Sequence, residues 1–239
     1  RGGDEVATTV LTSRLSDSCH EVRSVAFRAL AEVGAGSETI LEAVLSHLSD
    51  GNAWAQILAC GALAEIAEAG DERVVTALGV LLKAESVGVR SAAVEALARI
   101  AHADDEASMA AVASLLEDSH GRVRKAAVAA LAEAASRPGH GSEQAVAAVI
   151  ARLRHRDPAV RSAAAEALAQ VSRRGDAPAT AALRSLLKDG HPRVQASAVS
   201  AFAAVADKGD QCAVADVLGC LERGAAAAWS AAIEALVEL

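Results

Sequence analysis

Apolar residues recur along this chain three and four positions apart, in stretches separated by short polar turns. That period marks amphipathic helices rather than strands. One stretch predicts a helix over Ser37–Leu48, with Ile40, Leu41, Val44, Leu45 and Leu48 at helical spacing. The next predicts a helix over Ala53–Ala67 that turns Leu58, Ala59, Ala62, Leu63 and Ile66 inward. The pair then repeats. A leucine, an aspartate, a turn, Val-Arg, an alanine and a leucine follow one another as Leu15, Asp17, Val22, Arg23, Ala26 and Leu30. They return as Leu116, Asp118, Val123, Arg124, Ala127 and Leu131. The anchor of the second helix falls at Leu30, Leu63, Leu97, Leu131, Leu168, Phe202 and Leu236, at spacings of 33, 34, 34, 37, 34 and 34. A fixed period of this length is the signature of a solenoid.

Turn chemistry agrees with the period. Gly3-Asp4, Gly36-Ser37, Gly70-Asp71, Gly141-Ser142, Gly175-Asp176 and Gly209-Asp210 stand at one phase, and Asp104-Asp105 fills that slot in the fourth copy. Glycine accepts the left-handed conformation that ends a helix, and Asp or Ser caps the next one. Each copy therefore reads as helix A, turn, helix B, turn. Seven copies follow, over about 1–36, 37–70, 71–104, 105–141, 142–175, 176–209 and 210–239, in a single all-α array spanning 1–239. The alanines at 26, 59, 93, 127, 164, 198 and 232 form a column that lets neighbouring helices approach closely. Two irregularities stand out. Extra length sits in Ser136–Gly141, read as a tolerated loop. Leu239 aligns with Val33, Ile66, Ile100, Val171 and Val205, all expected in the core. An array that stops there would need further repeats or a partner to cover it.

Composition changes the picture in one way. Alanine is abundant, tyrosine is absent, and the aromatics are Phe27, Trp54, Phe202 and Trp229. Such a chain fills a thin core, not a wide one. The beginning, Arg1-Gly2-Gly3-Asp4, does not read as a signal peptide, and no apolar run is long enough for a membrane span. Cys19, Cys60, Cys212 and Cys220 form no CxxC pair, and they are expected as reduced thiols in an intracellular, most simply cytoplasmic, compartment. Net charge is −8, which opposes general binding to a phosphate backbone. The charge is uneven: residues 1–70 hold four basic and ten acidic side chains, residues 142–175 six and three.

The stretches LEDSHGRVRKAAVAALAEAA, LRHRDPAVRSAAAEALAQVS and LKDGHPRVQASAVSAFAAVA resemble HEAT repeats, in particular the short variety first named from phycobilisome lyases. The resemblance covers the whole chain. It implies a right-handed α-solenoid superhelix whose B helices line the concave face, and a family made up mostly of scaffolds and adaptors. It also implies that the arginine column, Arg23, Arg90, Arg124 and Arg161, pairs with turn aspartates of its own or the adjoining copy, here Asp17, Asp50, Asp118 and Asp189. Gln56 and Gln195 replace two of these arginines.

Candidate chemistry is sparse. His20, His120, His155 and His191 all fall in A–B turns, spread along one edge rather than converging on one ion, so no metal site or cofactor is expected. The several His-Glu pairs by which deoxyhypusine hydroxylase, a HEAT-type enzyme, holds two irons reduce here to His20-Glu21. Cys19 beside His20 lacks an orienting third group. The outward positions of the B helices are Arg28, Glu32, Glu65, Glu95, Arg99, Glu133, Glu166, Gln170, Glu234 and Glu238, a net acidic set. Trp54 occupies a slot held elsewhere by Glu21, Gly88, Arg122, Ala159, Arg193 and Ala227, so it is expected to face solvent as a contact anchor. The reading is a non-catalytic protein-interaction scaffold. Its partner, a protein with a basic or mixed-charge surface, would meet Glu32, Glu65, Glu95, Glu133 and Glu166, or Trp54 at the turn edge. Two rivals stand beside it. One is nucleic-acid binding through Arg152, Arg154, Arg156, Arg161, Arg173 and Arg174. The other is a lyase-type enzyme or accessory role.

Overall fold

A computed structural model describes residues 2–102, 105–137, 141–223 and 226–238; the side chains of 2–5, 141–142, 222–223, 226–228 and 238 lie outside that description. Among the described residues there are fourteen α-helices and no strand. They fall into two compact units, residues 1–102 and 103–239.

The first unit holds α1 (Gly2–Ser13), α2 (His20–Val33), α3 (Glu38–Ser46), α4 (Ala53–Ile66), α5 (Glu72–Leu81) and α6 (Val87–Ile100). The second holds α7 (Glu106–Ser114), α8 (Gly121–Ser136), α9 (Gly141–Ile150), α10 (Pro158–Val171), α11 (Ala177–Leu186), α12 (Pro192–Val205), α13 (Gln211–Arg223) and α14 (Ala226–Glu238). Odd helices are the expected A helices and even helices the B helices. B helices pack on B helices: α2 on α4 and α4 on α6 in one unit, then α8, α10, α12 and α14 in succession in the other. This is the hairpin stacking of an α-solenoid. Among the described residues no helix is long and apolar enough to cross a membrane.

The alanine column explains the close stacking. Ala59, Ala93, Ala127, Ala164, Ala198 and Ala232 have no exposed surface, and Ala26 almost none. The anchors Leu30, Leu63, Leu97, Leu131, Leu168 and Phe202 are equally buried, while Leu236 in the last hairpin is half-buried. Leu45 and Leu58 lie only half-buried at the edge of the apolar stripe.

Helix A ends differently from the expected Ser37–Leu48. α3 stops at Ser46 and tightens into a 3-10 turn over His47–Ser49. The same happens over Leu115–Glu117 and Ala151–Arg154. Such tightening is common at helix ends because it satisfies otherwise orphaned carbonyls. At the inter-copy turns Gly36, Gly70, Gly175 and Gly209 all have φ between 76° and 81°. At Gly70 and Gly175 the glycine does more than turn the chain. Its N–H donates to the last carbonyl of the following B helix, Ile100 or Val205, at 2.7 Å. A Cβ at Gly175 would lie 2.8 Å from Asp207 Oδ1. Asp71, Asp105 and Asp176 cap the A helices as expected, whereas Ser37 makes no side-chain cap.

Val33 departs from expectation. Its counterparts Ile66, Ile100, Val171 and Val205 are buried, but Val33 is 63% exposed. The cause lies on α1, where Ala7 and Thr8 stand at the positions of Ile40 and Leu41 one copy later. Those small side chains leave a hollow lined by Ala7, Thr8, Val33 and Ile40. The insertion at 136–141 and Leu239 fall largely or wholly outside the described residues.

Candidate functional site: interaction surfaces

The arginine column sits where each B helix begins, beside the end of the A helix. The last turn of a helix leaves carbonyls without partners. The column supplies the donors. Arg23 Nη1 donates to the carbonyls of Asp17 (2.6 Å) and Ser18 (3.1 Å). Arg90 does so to Ala84 and Glu85 at 2.8 and 2.9 Å. Arg124 repeats it on Asp118 and Ser119 at 2.7 and 3.1 Å. Arg161 repeats it on His155 and Arg156 at 2.8 and 3.1 Å. The shared acceptor is therefore main-chain oxygen. This accounts for the two glutamines: Gln56 Nε2 donates to the Leu48 carbonyl at 3.0 Å, and Gln195 Nε2 to the Asp189 carbonyl at 2.7 Å. An amide can replace a guanidinium for this task, because only an N–H is required.

The turn aspartates have a shared task of their own. Asp17, Asp118 and Asp189 each accept from the N–H two residues on, at 2.9, 2.8 and 2.9 Å. That is an Asx turn, which fixes the A–B corner. Asp50 is exposed and faces His47 Nε2 at 3.9 Å. The expected carboxylate pairing is seen at Arg161, whose Nε and Nη2 both reach Asp189 of the next copy at 2.8 Å. That guanidinium holds the Asp189 carboxyl below its usual range.

The acidic positions on the B helices are exposed, and they are not alike. In the first unit Glu65 accepts from Arg99 Nη1 at 2.7 Å, and this bond lowers its pKa. Glu32 and Glu95 carry no ion pair with a described residue. In the second unit Glu133 pairs with Arg137 at 3.2 Å. Glu166 Oε1 lies 3.4 and 3.3 Å from the hydroxyls of Ser162 and Ser197, which share a 2.7 Å bond, so one hydroxyl donates to the other and the second donates to the carboxylate. Glu166 thus stands fixed beside an open depression of 410 Å³ between α10 and α12, floored by Ala169, Ala196 and Ala201. Arg28, Gln170 and Glu234 are exposed as well; the side chain of Glu238 lies outside the described residues.

Trp54 is 65% exposed in the first turn of α4, where Asn52 caps the helix by accepting from the Trp54 and Ala55 N–H groups. At Cys19 the structure adds what sequence reasoning missed. Glu21 is a third group: its Oε2 accepts from the Cys19 thiol at 2.7 Å and lies 3.2 Å from His20 Nδ1. The thiol thereby donates to a carboxylate. Neighbours two residues apart at a helix start could have been tested for this. Cys60 is buried, and burial pushes its pKa up to about 12. Among the described residues no group of His, Cys, Asp and Glu could hold a metal ion.

Of the basic segment, several members are already occupied. Arg152 donates to the Ala148 carbonyl and pairs with Glu117. Arg174 donates to the carbonyls of Ala203 and Ala206. Arg154, Arg156 and Arg173 remain exposed.

A family model described as HEAT repeats matches residues 8–98, 41–132, 110–203 and 146–238. No curated protein sequence matches the chain. Several solved structures share its fold. YibA of E. coli is 16% identical, with a TM-score of 0.52 over 99% of this chain and 96% of that one. The complex of CpcE and CpcF of phycocyanin lyase from Nostoc is 18% identical, with a TM-score of 0.50 over 97% and 94%. A designed armadillo repeat protein in complex with the peptide (KR)4 is 21% identical, with a TM-score of 0.50 over 82% and 98%.

Proposed function

This chain belongs to the HEAT-repeat family, and from that premise we propose that it is a non-catalytic scaffold whose acidic B-helix faces take up a basic or mixed-charge segment of a partner protein. The observation that carries this reading is Glu166, an exposed carboxylate that accepts from a hydrogen-bonded serine pair, Ser162 and Ser197, beside an open depression with a floor of small side chains. A preorganised anion loses little side-chain freedom when a cation docks on it. Glu32 and Glu95 supply further exposed carboxylates on the B helices of the first unit. Glu65 and Glu133 are partly neutralised by Arg99 and Arg137, so they set register more than charge. The designed armadillo protein of similar fold binds a peptide of alternating lysine and arginine, and it supplies the probe for the test. Free cysteines suit a reducing, intracellular setting.

The test is fluorescence anisotropy with a labelled (Lys-Arg)4 peptide. Glu95→Lys, Glu133→Lys and Glu166→Lys together should weaken binding by about tenfold or more and flatten its salt dependence. Equal affinity of the variant at low salt would leave these carboxylates as solvating charge. A lyase-type role draws on the name of the repeat variety and on the phycocyanin lyase structure, and likeness at 18% identity carries the fold and not the activity.

A further inference from the structure

Three consecutive A–B turns of the second unit bring six exposed cations to one edge. Arg122 and Lys125 come from the start of α8, Arg154 and Arg156 from the turn before α10, and Lys188 and Arg193 from around the start of α12. These three B helices pack side by side in that order, so their first turns share an edge, with about 10 Å from one to the next. None of the six is in an ion pair with a described residue.

The carboxylates of the same turns are all engaged. Glu117 faces Arg152 and His155. Asp118 accepts from the His120 N–H, Asp157 caps α10 at Ala159, and Asp189 holds Arg161 and the His191 N–H. Over 117–125, 152–161 and 188–193 there are nine Lys and Arg against four Asp and Glu, a net of +5. The matching turns of the first unit, 16–24, 47–56 and 83–88, hold two against four, a net of −2. The fold thus consumes the anions of this edge and leaves its cations outward, within a chain of net charge −8.

We propose that this edge is a docking surface for a short acidic segment of a partner protein. The cations come in clusters about 10 Å apart, close to one three-residue turn of polyproline II chain at about 3.1 Å per residue. In that conformation acidic residues at every third position share one side and would meet successive clusters. Arginine's planar fork matches a carboxylate in two-point contact. A long nucleic acid fits less well. It would run past the edge into the field of a net-acidic chain, and the edge carries no Phe, Tyr or Trp for base stacking.

The probe is a fluorescein-labelled (Glu-Glu-Ser)4 peptide, titrated by anisotropy at about 50 mM salt, a condition permissive for ionic binding. The variant is Arg122→Gln, Arg156→Gln and Arg193→Gln. A second protein, Ser49→Glu, Ala69→Glu and Thr76→Glu, receives the same change in net charge at exposed positions of the first unit. The expected result is binding by the wild type, a loss of about tenfold or more in the first variant, and a change under about twofold in the second. All six sites are exposed, so both proteins should melt with the wild type. If the first variant unfolds, Arg154→Gln with Lys188→Gln takes its place. No binding by the wild type, or equal loss in both proteins, overturns the proposal. Tighter binding of a single-stranded DNA of equal charge overturns the choice of an acidic polypeptide.

Discussion

The two units are built from one repeat, yet their A–B turn edges have opposite character. In the first unit the edge presents Glu21, Asp50, Glu85 and the ring of Trp54 beside Lys83; in the second it presents Arg122, Arg154, Arg156, Lys188 and Arg193 beside Glu117 and Asp157. The interiors hardly differ. Ala59 and Ala164, Leu63 and Leu168, Val89 and Val194 are all buried to the same degree. The difference teaches where this repeat tolerates change. A core position sees the same neighbours in every copy and must keep its volume. A turn position that faces water sees none, so its charge and size can drift or be put to use. Between these extremes lies the donor column, where the task is conserved but the residue is not.

The largest effect should come from the interior, and it should be the same in both units. Leu97→Ala and Leu131→Ala each remove a fully buried side chain. Each should cost about 2–5 kcal/mol, read as a fall in the denaturation midpoint. A cost under about 1 kcal/mol in one unit alone would break the claim that the cores are equivalent.

Most of this was legible in the sequence, because the repeat reports it many times. The period marked the helical stacking, the buried alanine column and the buried anchors from Leu30 to Phe202, since one mismatch among several copies does not hide the pattern. Val33 was misplaced because exposure there depends on Ala7 and Thr8, residues outside its own helix. The resemblance implied aspartate partners for the arginine column, as seen at Arg161 and Asp189, and did not indicate the shared main-chain acceptors. Gln56 and Gln195 held the better clue, since a residue that replaces arginine without its charge points to a hydrogen-bonding task. In the sequence the cationic edge was seen only as the basic segment 152–174. Which of its members are free depends on partners that no spacing records, such as Glu117 for Arg152.

A smaller effect should sharpen the intermediate class. Arg161→Gln keeps an amide for the His155 carbonyl and gives up the two-point contact with Asp189. It should cost about 1–3 kcal/mol at neutral pH, the range for a hydrogen-bonded charge pair. Arg161→Ala should cost more, since it also strands carbonyls at the end of the A helix. The pH dependence has a definite sign. Asp189 titrates below its usual value in the folded state because Arg161 bonds its carboxylate. Its contribution is therefore complete above the unfolded pKa of about 3.9 and is lost as pH falls through the lower folded value. The gap between wild type and Arg161→Gln should be constant from neutrality to about pH 5 and close below about pH 4. A gap that persists in acid would mean that the packing of the guanidinium, not the pair, is what the variant removes.

The smallest effect on stability belongs to Trp54, and it tests the turn edge itself. The ring stands in the slot that Arg122 and Arg193 fill in the second unit, and it is 65% exposed. Trp54→Arg places the second unit's residue in the first unit's turn. The helix cap at Asn52 uses main-chain N–H groups, so it survives the exchange. Stability should move by no more than about 0.5 kcal/mol, as surface substitutions do, and the melting curve measures it. A loss above about 2 kcal/mol would show that the ring is packed on the preceding copy, and the comparison would fail at that position. If the curve is unmoved, a large apolar ring has been kept in water at no gain to the fold. Trp54 is then proposed as an anchor of a contact patch on the first unit. Trp54→Ala should weaken whatever protein is captured there by about 2 kcal/mol, roughly thirtyfold in affinity, while leaving the cationic edge of the second unit, and its hold on an acidic peptide, unchanged.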